Sequence, residues 1–209
     1  PNLVAVALGK PDTCGLPVPD LVVRRPPSLC SGCPHIDSYY ALTETLSNLS
    51  NGRVFSDIGC YTLGALKPYE AINSCVDMGA SITMAKGAAD AGLVPAVAVI
   101  GDSTFTHSGM TGLLDAVNDR SPITIMLLDN GTTAMTGGQD SPALGKIEDI
   151  CKGLGVEEAH IRILKPLKKY HDENVSIMKE ELAYQGVSVI IPRRECIVAI
   201  DKRMRAKFR

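Results

Sequence analysis

The stretch "VPAVAVIGD" at 94–102, read together with "PITIMLLDN" at 122–130, decides the fold. Each is a continuous apolar run that stops on an acid, the pattern of a central parallel strand meeting its C-terminal loop. Between them "HSGMTGLLDAVND" (107–119) reads as the connecting helix. Working outward, "RVFSDIG" (53–59) is a short buried strand running into a glycine turn, and "VSVIIP" (187–192) is the last strand. "KIEDICKGLG" (146–155) and "DENVSIMKEELAYQG" (172–186) are amphipathic helices, and a further helix is expected from Asp37 to Leu49, ended by "SNGR". "VDMGASITMAKGAADA" (76–91) carries small residues at helical spacing, which let a helix press close to a sheet or a partner subunit. Strands alternating with helices predict an α/β three-layer sandwich with a mostly parallel central sheet.

The chain has 209 residues, enough for one large domain with a full core, and it is 45% hydrophobic and 21% charged. A net charge of −2 with no long basic run outside the C-terminal end gives no footprint for nucleic acid. The apolar runs are too short to span a membrane, and no signal peptide is visible. "NLVAVALG" (2–9) has strand character with no start methionine before it, so a piece of a longer polypeptide is expected. Residues 11–29 hold five of the thirteen prolines and predict an extended lead-in over 1–27, before a domain over 28–200 and a basic tail over 201–209. The cysteines are Cys14, Cys30, Cys33, Cys60, Cys75, Cys151 and Cys196. An odd, scattered set in a chain with a good core points to a reducing cytoplasm in which some cysteines act as ligands.

In an open α/β sheet the ligand sits beyond the carboxyl ends of the strands, so "GDST" (101–104) and "LDNGTT" (128–133) should lie side by side. Asp102 and Asn130 are 28 residues apart, room for one crossover helix and a return strand. A carboxylate and an amide oxygen are hard ligands that suit Mg²⁺, which also takes carbonyl and phosphate oxygens. Gly101 permits close backbone approach, and the amides after Asp102 sit near a helix start, where a diphosphate is favoured. Thr136, Gly137 and Gly138 add a hydroxyl and a pliant backbone to the same cradle. This spacing resembles the thiamine diphosphate motif of Gly-Asp-Gly followed by an asparagine pair, with Ser103 and Gly131 as departures.

"SLCSGCPH" (28–35) poses a separate question. A c-type haem site needs histidine directly after the second cysteine, and Pro34 intervenes. Nothing else in the chain looks like a thioredoxin unit around a redox Cys-x-x-Cys. Zinc on Cys30, Cys33 and His35 with a fourth ligand stays open, as do two buried unligated thiols.

Taken together, "LCSGCPH", "SDIGCYTLGAL", "INSCVDMGASITMAKGAADAG", "VIGDSTFTHSGMTGLLDAV", "LLDNGTTAMTGGQDSP" and "RREC" resemble the 2-oxoacid:ferredoxin oxidoreductase family over about residues 22–200. Within it the chain is most similar to the thiamine diphosphate-binding domain of the indolepyruvate-type large (alpha) subunit. The resemblance implies a thiamine diphosphate-binding fold of the diphosphate type. It implies Mg²⁺ on Asp102, Asn130 and the carbonyl of Thr132, and diphosphate contacts from Gly101, Ser103, Thr136 and Gly137. Met135 and His107 become candidates for the substrate pocket, with a hydrogen-bonded histidine at a helix start as the alternative for His107. A 4Fe–4S cluster on Cys30, Cys33, Cys60 and Cys196 is implied beside the cofactor, while His35 and Cys60 are alternatively pocket residues.

The implied reaction is oxidative decarboxylation of a 2-oxoacid, an arylpyruvate in this subfamily, with the cofactor as electron sink. Electrons would pass to ferredoxin and the acyl group to coenzyme A. The glutamate that activates the aminopyrimidine ring has no counterpart here, and neither has a ferredoxin-like run of cysteines. The implied partners are therefore pyrimidine-binding and ferredoxin-like regions of the same subunit, a smaller subunit, and an oligomeric assembly, with no turnover by this piece alone. Two other readings are a non-oxidative thiamine-dependent decarboxylase, which needs no cluster, and a zinc-stabilised interaction module with an empty fold.

Overall fold

The computed structural model describes residues 2–11, 21–23 and 26–207. Cys14 and most of the proline-rich lead-in lie outside the described residues. Six strands form one sheet in the order β2-β1-β3-β4-β8-β7. They are β1 (Arg53–Ser56), β2 (Ser74–Cys75), β3 (Ala96–Gly101), β4 (Ile123–Leu128), β7 (Ile161–Leu164) and β8 (Ser188–Pro192), and every pairing among them is parallel. A two-stranded antiparallel ribbon, β5 (Thr132–Thr133) with β6 (Gln139–Asp140), projects from the loop after β4.

The continuous apolar runs have a simple cause, since every residue of β3 and β4 is buried. Side chains alternate between two covered faces. Ala96, Ala98, Ile100, Ile123, Ile125 and Leu127 point into a core shared with Ile82, Leu113 and Ile147. Val97, Val99, Met126 and Leu128 point into the opposite one, with Tyr39, Leu42 and Met178. The first face is thus covered by α3 (Ala80–Asp90), α5 (Met110–Asn118) and α6 (Ile147–Gly153), and the second by α2 (Pro34–Leu46) and α7 (His171–Ala183). This is the expected three-layer α/β sandwich.

Several boundaries differ from the sequence reading. α2 starts at Pro34 rather than Asp37, because proline with its fixed φ and missing N–H is at home in a first helical turn. The helix after β3 begins at once as α4 (Asp102–Thr104), then widens into a π-turn over Phe105–Gly109 before α5. The strand expected over 2–9 is instead α1 (Asn2–Ala7). No sheet edge pairs with it among the described residues, and a helical turn satisfies its own carbonyls, as in Leu8 N–H to Val4 O at 3.0 Å. The basic tail is likewise helical, as part of α8 (Ile197–Lys207). The edge strands β2 and β7 escaped sequence reading, one being two residues long and the other half exposed.

Candidate cofactor site

All six parallel strands end on the same edge of the sheet. From β1 the chain steps outward to β2 and then returns to β3 on the other side of β1. Strand order therefore reverses between β1 and β3, the kind of point where open α/β sheets hold ligands. Asp57 follows β1 there and Asp102 follows β3, both buried.

Asp102 is 3% exposed and opens α4. Its Oδ1 accepts the Ser103 N–H at 2.6 Å and its Oδ2 accepts the Gly131 N–H at 2.9 Å. The second bond joins the loops after β3 and β4. Burial, with the Asp129 charge nearby, pushes the Asp102 carboxyl up to about 6. Asn130 Oδ1 accepts the Thr132 N–H at 3.0 Å, and its Nδ2 stands 3.4 Å from His35 Nε2. Asp129 is itself neutralised by Arg193 Nε at 2.5 Å, whose other nitrogens grip Glu148 of α6 at 2.8 and 2.6 Å. The Asn130 loop is thus fixed from behind by a paired arginine.

These loops enclose a cavity of about 570 Å³. It is lined by Cys60, Gly101, Asp102, Ser103, His107, Asn130, Thr132, Met135 and Thr136, so nearly every pocket residue expected from the sequence meets there. Gly137 does not line it; its carbonyl instead receives Lys202 Nζ at 3.1 Å. His107 lies in the π-turn, with Nδ1 3.0 Å from Ser108 Oγ, which itself donates to the Met78 carbonyl at 2.8 Å. His107 also lines the cavity, so this hydrogen bond does not take it out of the pocket wall. Met135 is 69% exposed at the cavity mouth. A larger cavity of about 720 Å³ lies between the Asn130 loop and α8, and Asn130 and Thr132 line it as well.

Sequence reading missed Tyr61, Thr133 and Asp57. Thr133 Oγ1 is 2.7 Å from Ser103 Oγ, a hydroxyl pair across the cradle. The Tyr61 ring lies against Gly59 and Gly101, where an added Cβ would meet its Cε1 at 2.2 and 2.5 Å. Its hydroxyl donates to Asp57 Oδ1, and Ser81 Oγ donates to Asp57 Oδ2 at 2.6 Å. Burial raises the Asp57 carboxyl above its ordinary range against these two bonds. The acid closing "RVFSD" at a strand end was a legible signal, of the same kind as Asp102. Buried His35 has its pKa lowered to about 4, first by desolvation and then by the Arg194 charge, and it too lines the cavity.

Of the four cysteines expected as ligands, Cys60 lines this cavity and Cys30, Cys33 and Cys196 do not. Cys33 opens α2, and its N–H donates to the Cys30 carbonyl at 3.0 Å. Burial pushes the Cys33 thiol up to about 11, and Cys30, Cys60 and Cys196 each add to the rise, so all four sulfurs lie within electrostatic reach. Among the described residues no three His, Cys, Asp or Glu side chains are gathered tightly enough to grip one metal ion.

The cavity suits a magnesium diphosphate. Asp102, Asn130 and the Thr132 carbonyl offer three hard oxygens, and the start of α4 offers backbone N–H groups. Among the described residues Asp102 is hydrogen-bonded only to neutral donors, so a divalent cation would relieve the burial that raises its pKa.

Comparison with known proteins supports a thiamine diphosphate-binding domain. Residues 57–191 match the family described as "Thiamine pyrophosphate enzyme, C-terminal TPP binding domain". The chain is 38% identical over 192 residues to the indolepyruvate oxidoreductase subunit IorA of Archaeoglobus fulgidus, covering 87% of this chain and 30% of that protein. It is 36% identical over 203 residues to the subunit of the same name in Pyrococcus abyssi, covering 86% and 30%. The chain thus spans about a third of the length of these curated relatives. The fold is shared with 2-oxoglutarate:ferredoxin oxidoreductase from Magnetococcus marinus, at a TM-score of 0.68 and 16% identity over 83% of this chain and 66% of that one. Benzoylformate decarboxylase from Polynucleobacter necessarius shares it at a TM-score of 0.56 and 18% identity, over 73% and 32%. The family match begins at Asp57 and stops before Arg193, leaving Cys30, Cys33 and Cys196 outside it. The reading as an empty interaction module is set aside: this chain belongs to the thiamine pyrophosphate enzymes, as their C-terminal cofactor-binding domain.

Proposed function

We propose that the chain is the cofactor-binding section of an indolepyruvate-type 2-oxoacid:ferredoxin oxidoreductase, which oxidatively decarboxylates an arylpyruvate, forms acyl-coenzyme A and sends electrons to ferredoxin. Thiamine diphosphate, when bound, supplies the electron sink for decarboxylation. Asp102, Asn130 and the Thr132 carbonyl would hold Mg²⁺. Ser103, Thr133, Thr136 and the amides after Gly101 would hold the diphosphate, with Gly137 behind them. His107 and Met135, at the cavity mouth, would meet the 2-oxoacid. Cys30, Cys33, Cys60 and Cys196 would carry a 4Fe–4S cluster, whose four thiolates stand farther apart than those around a single ion.

One observation carries this reading. The loop of the magnesium-type oxygens is bonded to the segment of one of the four cysteines, the Cys196 N–H donating to the Asn130 carbonyl at 3.1 Å, and a second, Cys60, lines the same cavity as Asp102 and Asn130. A non-oxidative decarboxylase has no use for such an arrangement. The activating glutamate, the ferredoxin-like region, a smaller subunit and an oligomeric assembly belong to the rest of the enzyme, in a reducing cytoplasm. Among the described residues no helix is long and apolar enough to cross a membrane.

The test uses the full-length chain purified without oxygen. Thiamine diphosphate binding that requires Mg²⁺, and a loss of about four iron and four sulfide in Cys60→Ala or Cys196→Ala, are expected. Unchanged iron in both variants would remove the cluster from this site and leave electron exit to the ferredoxin-like region. Magnesium-independent binding would remove the metal site.

A further inference from the structure

Resting on the four-cysteine reading above, we infer that Arg194 is a positioning residue which clamps the Cys30–Cys33 loop to the segment carrying Cys196. The cysteines come from three distant parts of the chain, and something must hold the two ends together. Cys196 lies on the strand-exit segment after β8, which is itself fixed to the cofactor loop. Asp129 N–H donates to the Pro192 carbonyl, Arg194 N–H to the Asp129 carbonyl and Cys196 N–H to the Asn130 carbonyl, each at 3.1 Å. The Cys30–Cys33 loop has no such ladder. It is a single turn ahead of α2, with Cys30 exposed.

The Arg194 side chain spans that gap. Its Nη2 donates to the carbonyl of Gly32, inside the Cys-x-x-Cys turn. Its Nη1 donates to Asp37 Oδ2 in the first turn of α2 at 3.0 Å, and to the Pro166 carbonyl after β7 at 2.6 Å. One guanidinium thus ties three chain segments two residues before Cys196. The planar fork with several fixed donors is what the task needs, and a lysine ammonium cannot reproduce it. Arg194 does not line the cofactor cavity, but its charge reaches His35 there, so cofactor binding is measured beside the effect on the thiols.

The experiment compares Arg194→Gln, Arg194→Lys and Cys33→Ser with the wild type, in the full-length chain purified anaerobically. Iron and sulfide content, the EPR spectrum after dithionite reduction, and the rate of iron loss to a chelator are read alongside calorimetric binding of thiamine diphosphate with Mg²⁺. Arg194→Gln should lose the same iron and the same EPR signal as Cys33→Ser while binding thiamine diphosphate within a few-fold of wild type. Arg194→Lys, which keeps the charge and one donor direction, should retain iron on purification but release it to chelator at least several-fold faster. Wild-type iron release in the lysine variant, or wild-type iron and EPR in the glutamine variant, would overturn the clamp. Loss of cofactor binding in step with iron would overturn it as well, by showing a general structural role. Failure of the cluster reading itself is seen separately, as Cys33→Ser with undiminished iron.

Discussion

The backbone N–H of Cys196 donates to the carbonyl of Asn130 at 3.1 Å, and this one bond joins the proposed electron-carrying side of the site to its cofactor side. Asn130 presents its amide to the cavity from the loop after β4, and Cys196 arrives from the end of β8, the adjacent strand. A parallel bridge between Asp129 and Arg193 carries the pairing of these two strands beyond their formal ends. The two residues are therefore held in fixed relation by the sheet, without help from a flexible loop.

Asp102→Ala should weaken magnesium-dependent binding of thiamine diphosphate by at least about 100-fold, about 2.8 kcal/mol, without unfolding the domain. Removing a carboxylate whose pKa burial raises to about 6 leaves no strained charge behind. Titration calorimetry with Mg²⁺ and with EDTA checks this. Equal affinity in both media for the wild type would count against the metal site.

Gly101→Ala should clash with Tyr61, whose Cε1 would stand 2.5 Å from the new Cβ. Overpacking of this kind costs about 1–3 kcal/mol. In the background of Tyr61→Leu the same change should cost much less, a coupling that a double-mutant cycle of urea midpoints measures directly. Additive losses would mean the ring yields freely.

Asp57 gives a signed pH dependence. Its folded pKa is raised by burial, so the carboxyl takes up a proton more readily in the folded chain than in the unfolded one. The stability that protonation contributes is full below the unfolded carboxylate pKa and is lost as pH rises through the folded value. Asp57→Asn should remove this component. The difference in melting temperature, wild type minus variant, should therefore grow as pH falls from neutral into the mildly acid range, and a flat difference would contradict the assignment.

Ile125→Ala, at a fully buried position of β4, should cost about 2–5 kcal/mol from lost burial and the cavity left behind. Equilibrium unfolding checks it, and a loss below about 1 kcal/mol would mean that the two covered faces pack loosely.

Much of this was legible in the sequence. The two apolar runs at 94–102 and 122–130 read as doubly covered parallel strands, and β3 and β4 are buried throughout, with Asp102 and Asn130 just past their ends. Strand-end position is a local property, set by where burial stops, so Asp102 and Asn130 were exposed to inspection. The edge strands were not: β2 is two residues long and β7 is half exposed, and neither carries the hydrophobic pattern that burial writes. The opening "NLVAVALG" shows the converse, since its strand-like composition is helical where no neighbouring edge takes its hydrogen bonds.

By itself, then, the sequence determined the alternation of strands and helices and placed Asp102 and Asn130 just past the tips of neighbouring strands. Which of these side chains meet was decided by tertiary structure. Tyr61 reaches the cofactor wall only because strand order reverses between β1 and β3 and brings Gly59 and Gly101 to either side of its ring. Arg194 reaches Gly32 across 162 positions only because β8 sits beside β4 at the sheet edge where α2 begins. Local propensity and burial are written along the chain, whereas contacts between distant segments exist only once the sheet has fixed their order.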